Sequence, residues 1–285
     1  MKKAVKWITG IAILSVAVLL VVLKLIDESN KVEFADETTG SYIVSTGLSN
    51  KRREETPKKE LGYDDFRKDD LKYVTRLEIG TQLRKCETLV DLEKCWNLES
   101  LKIFDRYDVF VRRYGEDEAA EGYKRDYGEL PPSPLSDEKI RQFGTELEGI
   151  LQECGQLKTL CIYNRGGTFN LDSVQFLHYG GNLTYLDLDS LGDIDYSPVW
   201  ECTNLEVLAL SYCAISDLGE ISRLENLRVL WLDSTDIKEA GDIVNLKNLE
   251  TLYIMGAPLA ENEEELQILR EALPGLEIIT EKPWY

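Results

Sequence analysis

The chain is poor in the side chains that most enzymes depend on. His178 is the only histidine among 285 residues, so any serine–histidine or cysteine–histidine catalytic pair would have to use it. It lies in Leu177-His178-Tyr179-Gly180-Gly181 with no nucleophile motif beside it. A phosphate-binding Gly-rich loop, a dinucleotide fingerprint and a zinc-protease HExxH are all missing. The six cysteines never fall in a CxxC spacing, which argues against a structural zinc site. Neither a metal nor a cofactor is therefore expected, and no catalytic residue is assigned. Positive charge is also scarce: 33 Lys and Arg face 52 Asp and Glu, a formal net of −19. Four of those bases, Lys2, Lys3, Lys6 and Lys24, lie in residues 1–26, which hold no acid. Subtracting them leaves 29 bases against 52 acids, so the body carries −23. Phosphate backbones repel such a polyanion, and nucleic acid is excluded as a partner.

One long apolar run is present. Trp7–Leu23 has no charged residue, and Leu25 and Ile26 extend it past Lys24. About 20 helical residues cross a bilayer core, so residues 7–26 are expected to form a single transmembrane signal-anchor helix. The competing reading is a cleaved secretory signal, which would leave the protein secreted. The one small-x-small site nearby, Ser15-Val16-Ala17, lies inside the run, and cutting there would leave an apolar new terminus. Lysines before the run and Asp27, Glu28, Glu33 and Asp36 after it place residues 1–6 in the cytoplasm and the body outside. Residues 27–65 are polar and pass through Lys51-Arg52-Arg53-Glu54-Glu55, which reads as a solvated extracytoplasmic stalk.

The body from 66 to 285 is built on a repeat. Leu183, Leu205, Leu227 and Leu249 stand 22 residues apart, and each opens the same phrase, ending in Leu-Asp-Leu, Leu-Ala-Leu, Leu-Trp-Leu and Leu-Tyr-Ile. LxxLxL sends alternate residues of a short strand into a core and the others to solvent. Apolar residues recur at the seventeenth position (Val199, Ile221, Ile243) and the twentieth (Cys202, Leu224, Leu246). Less regular copies open at Val74, Leu98 and Leu157, at spacings of 24, 59 and 26 residues. The long gap holds an insertion over about 106–136, with Pro131-Pro132-Ser133-Pro134. After it, Ile140, Phe143, Leu147 and Leu151 fall at helical spacing behind an N-cap at Ser136 or Asp137. Glu263–Leu273 reads as a helix and Leu276–Ile279 as a last strand, a terminal cap.

On these residues, and on Ala214-Ile215-Ser216-Asp217-Leu218 followed by Leu224-Glu225-Asn226-Leu227, the chain resembles the leucine-rich-repeat superfamily, in particular the bacterial internalin type with 22-residue repeats. The resemblance implies an α/β solenoid, with a parallel sheet on its concave face, that recognises proteins there. The family's asparagine at the ninth position is replaced here by Leu191, Cys213, Thr235 and Ala257, so these turns must satisfy their backbone by other means.

The same register sorts the remaining residues. Cys95, Cys154 and Cys202 occupy the place taken by Leu71, Leu224 and Leu246 in other copies, so they are expected to be buried thiols rather than half-cystines. Positions three, five, seven and eight should line the concave wall. They supply Tyr163, Asn164, Tyr185, Asp187, Asp189, Tyr212, Trp231, Asp233 and Tyr253 as candidate partner contacts. Exposed aromatics on a rigid sheet offer large contact area at little entropic cost, and the aspartates favour a basic partner. Calcium is disfavoured because Asp189 and Asp233 stand two strands apart, with Ser211 between them. The expected function is binding of an unidentified protein ligand; binding of carbohydrate or an envelope polymer, or a spacer role, are the alternatives.

Overall fold

The structure is a computed structural model that describes residues 23–25, 27–54, 63–80, 83–104, 116–127, 133–164 and 171–281. Eight strands form one parallel sheet in strict chain order. They are β1 (Arg76–Ile79), β2 (Ser100–Phe104), β3 (Thr159–Tyr163), β4 (Tyr185–Asp189), β5 (Val207–Ala209), β6 (Val229–Trp231), β7 (Thr251–Tyr253) and β8 (Glu277–Ile279). Each strand begins one coil of chain, and the return path runs through a short 3-10 turn such as Ser197–Glu201, Ile221–Arg223 or Gly241–Asn245.

The register follows the leucines. Leu77, Leu101, Leu160, Leu186, Leu208, Leu230, Leu252 and Ile278 face one another across successive strands. All but Ile278 are buried, and Val199, Ile221 and Ile243 on the 3-10 turns close the other wall of the same core. A slip of one residue in any strand would turn this row to solvent, so burial itself fixes the register.

Among the described residues the sheet is accompanied by the helices α1 (Glu37–Glu54), α2 (Glu116–Tyr127), α3 (Asp137–Glu153) and α4 (Glu263–Ala272). In α3, Ile140, Phe143, Leu147, Ile150 and Leu151 are buried, and the Ser136 hydroxyl caps the helix by accepting the Lys139 amide at 3.2 Å. Helix α4 carries Leu266 and Leu269 into the far end of the core ahead of β8.

The segment expected to be a stalk, residues 27–65, differs from that expectation. It contains α1, which packs on β1 and on the turn Lys68–Tyr73 and buries Ile43, Val44 and Leu48. Its buried face also holds Gly40 and Gly47. A Cβ there would lie 2.5 Å from Phe34 Cγ and from Phe66 Cε2 respectively. Two glycines on the contact face let aromatic rings lie on the helix backbone, and they also dilute the apolar periodicity that marks a helix in sequence. Helix α1 thus covers the amino-terminal edge of a sheet that would otherwise present an open strand.

Of the expected transmembrane segment 7–26, only 23–25 belong to the described residues; they are helical, with Leu23 and Leu25 exposed. Among the described residues no helix is long and apolar enough to cross a membrane. Within the insertion, α2 buries Ala119 and Tyr123.

The concave face and its candidate site

The turn after each strand sets how side chains leave the sheet. The eighth position adopts a left-handed backbone in four consecutive copies: Ser190 (φ 65°), Tyr212 (59°), Ser234 (55°) and Gly256 (70°). The backbone ladder continues through this bend. The amides of Asn164, Ser190, Tyr212 and Ser234 donate to the carbonyls of Asp189, Ser211, Asp233 and Met255 in the next coil. The ninth position, where no asparagine stands, is satisfied piecemeal. Cys213 Sγ donates to the Leu188 carbonyl at 2.9 Å, Thr235 Oγ1 to Leu232 at 2.7 Å, and the Tyr196 hydroxyl to Gly192 at 2.8 Å. A second set of asparagines, just before the opening leucine, ties coil to coil. Asn97, Asn204, Asn226 and Asn248 donate Nδ2 to the carbonyls of Lys72, Gly181, Thr203 and Glu225 at 2.7–3.0 Å. The sheet is therefore a stiff platform.

On it, the fifth-position row reads Glu78, Lys102, Cys161, Asp187, Ala209, Trp231, Tyr253, Ile279 from β1 to β8. The expected contacts divide into two groups. In the first, Tyr212 is 49% and Trp231 36% exposed, and Tyr253 beside them is half-buried. Trp231 and Tyr253 pack edge to face with ring centroids 5.0 Å apart. Asp233 is half-buried and its carboxylate accepts the Met255 amide at 2.8 Å. Burial raises its pKa, and that hydrogen bond opposes the rise.

The second group is turned to internal work. Asp187 is buried, Asp189 is 2% exposed, and Asn164 is buried with its amide donating to the Ser190 carbonyl at 3.1 Å. The Ser190 hydroxyl donates to Asp189. Tyr163 and Tyr185 stand half-buried over this floor, and Tyr163 meets Phe104 edge-on at 6.3 Å. Burial and the Asp187 charge push Tyr185 up to about 12. Asn164, Asp187 and Asp189 were expected as exposed contacts; the structure buries them instead. The Ser211 hydroxyl, one coil further on, is buried without a hydrogen-bond partner.

A feature the sequence reasoning passed over lies at the other end of the face. Arg76, Glu78, Ser100, Lys102, Lys158, Cys161 and Tyr185, with Thr46 of α1, line a hollow of about 980 Å³. Extending the five-residue strand phrase to the copies opening at Val74 and Leu98 would have found Arg76, Glu78, Ser100 and Lys102. Thr46 carries no such signal, because it arrives on α1.

All six cysteines are free and buried. Burial raises Cys86, Cys154 and Cys202 to about 12 and Cys161 to about 11. His178 is exposed between Glu201 and Gln175, each 2.7 Å from a ring nitrogen.

An uninterrupted parallel sheet in chain order, one strand per coil and a leucine row for a spine define a leucine-rich-repeat solenoid. Among solved structures the chain is similar to internalin C2 (inlC2) of Listeria monocytogenes str. 4b F2365, with 18% identity, 87% of this chain and 93% of that one covered, and a TM-score of 0.49. It is also similar to an internalin (inlF) of the same strain, with 15% identity, 87% and 75% covered, and a TM-score of 0.35. No family model and no curated protein matches the chain.

Proposed function

We propose that this chain is a membrane-anchored, extracytoplasmic leucine-rich-repeat protein that binds a protein partner on the carboxyl-terminal half of its concave face. One observation carries the reading: Trp231 and Tyr253 sit in facing register on β6 and β7, with Tyr212 alongside, as large rings open to solvent on a backbone fixed from both sides. Rings of this kind desolvate much area while losing few rotamers, which is what concentrates binding energy in a few residues. Asp233 beside them, on a body of net −23, favours a basic partner and speeds its approach. The anchor reading rests on the charge-free run Trp7–Leu23 between lysines and acids, which puts the amino terminus in the cytoplasm and the repeats outside.

The test is partner capture by the full chain on intact cells, comparing wild type with Trp231→Ala and with Tyr179→Ala, an exposed tyrosine on a 3-10 turn. Loss of capture in the first variant alone is expected. Full capture by Trp231→Ala overturns the assignment of the face.

A further inference from the structure

Among the described residues, the path that follows the proposed membrane helix is held against the body from Asp27 onwards. Residues 23–25 and 27–29 are helical, and attachment to the body begins at Asp27. Its carboxylate accepts Arg67 Nε and Nη2 at 2.9 and 2.8 Å. The Ser29 carbonyl accepts Lys68 Nζ at 2.9 Å, and the Asn30 carbonyl accepts the Lys68 amide at 3.0 Å. Lys31 then forms an antiparallel bridge with Arg67, and Val32 and Phe34 pack on the core. The amides of Ala35 and Asp36 both donate to the buried Asp91 carboxylate at 2.9 Å. Asp36 in turn accepts the Thr39 amide at 2.5 Å in the first turn of α1. Exposed ion pairs add little stability by themselves. The backbone bonds, the apolar side chains and the buried carboxylate hold this segment in place.

We infer that the solenoid is seated on the bilayer by its amino-terminal end rather than swung from a stalk, and that the surface it meets there is the lipid headgroup layer. This rests on the anchor reading above. A flexible linker of the length of residues 27–65 would give a reach of about 35 Å with free orientation. Here the reach is taken up by docking, and orientation is fixed with it. Seven strand spacings of about 4.8 Å put β8 roughly 34 Å from β1, so the aromatic rows are held at a set distance from the end that touches lipid. A partner for that face must come to within tens of ångströms of the same membrane. The seat carries both signs, with Lys31, Arg67 and Lys68 beside Asp27 and Glu28. Contact with the headgroups is thus imposed by the tether and needs no anionic lipid.

The test places the full chain in phosphatidylcholine nanodiscs containing a headgroup-labelled acceptor lipid. A donor dye is attached through Asp69→Cys, beside the seat, or Glu277→Cys on β8; both positions are exposed, and the six native thiols are buried. Energy transfer is expected to be at least about twofold stronger at 69 than at 277, given the distance between the two ends of the sheet. Inserting about 20 Gly-Ser residues between Ile26 and Asp27 restores a flexible reach and should erase the difference. Equal transfer at the two sites without the insertion overturns the seating. A chain that does not stay with the discs overturns the anchor reading, and the seating with it.

Discussion

Trp231 and Tyr253 hold equivalent positions at the ends of β6 and β7, and their rings meet edge to face at an interplanar angle of 68°. Such pairs contribute about 0.5–1.5 kcal/mol beyond the area they bury. A double-mutant cycle of Trp231→Ala and Tyr253→Ala, read by urea unfolding, should give a coupling energy in that range. Additive effects would mean that the two rings do not brace each other. A braced pair is also what lets a partner meet a preformed surface.

Asp91 is fully buried and receives the amides of Ala35 and Asp36, with Lys94 beside it. Asp91→Ala leaves two amides without acceptors, at about 1–3 kcal/mol for each unsatisfied group. Hydrogen exchange should show α1 and the segment before it losing protection, while β5–β7 keep theirs. Uniform loss across the chain would contradict a local latch.

Gly40→Ala pits two effects against each other. Alanine favours a helix over glycine by about 1 kcal/mol. The added methyl, however, would meet Phe34 Cγ at 2.5 Å and Phe34 Cβ at 2.9 Å, close to the ring's own backbone, where little room to give exists. Overpacking of this kind costs about 1–3 kcal/mol, so the clash wins and the midpoint of unfolding should fall. A stabilised Gly40→Ala protein would show that α1 does not lie against Phe34.

The thiols predict a sensitivity to alkali. Burial raises Cys86, Cys154 and Cys202 to about 12 from 9.0. Above pH 9 the unfolded chain releases thiol protons that the folded chain retains, so unfolding becomes more favourable as pH rises. Stability from these groups is fully present below about pH 9 and is lost as pH climbs towards 12. Thermal unfolding followed between pH 8 and pH 11 should show a falling midpoint, and a flat profile would be inconsistent with buried neutral thiols. In the same protein at neutral pH, a thiol reagent should label none of the six cysteines until denaturant is added.

The repeat was legible because it is local. Leu183, Leu205, Leu227 and Leu249 each announce a strand within six residues, and Ile140, Phe143, Leu147 and Leu151 announce α3 in the same way. The candidate site was only half legible. Alternation told which way Trp231 and Tyr253 point, and the register then placed them side by side. It gave the same direction for Asp187 and Asp189, yet these two are buried.

The sequence by itself determined the leucine spine, the order of the strands, the burial of Cys95, Cys154 and Cys202 and the row that joins Trp231 to Tyr253. All of these follow from which side chains a period of two sends inward and which coil stacks on the next. Tertiary structure alone decided that residues 27–54 belong to the body, and that Asn164, Asp187 and Asp189 are covered. The reason is distance along the chain. Asp36 and Asp91 are 55 residues apart, Asn164 and Ser190 are 26 apart, and a polar side chain shows whether it is covered only once its distant partners have arrived.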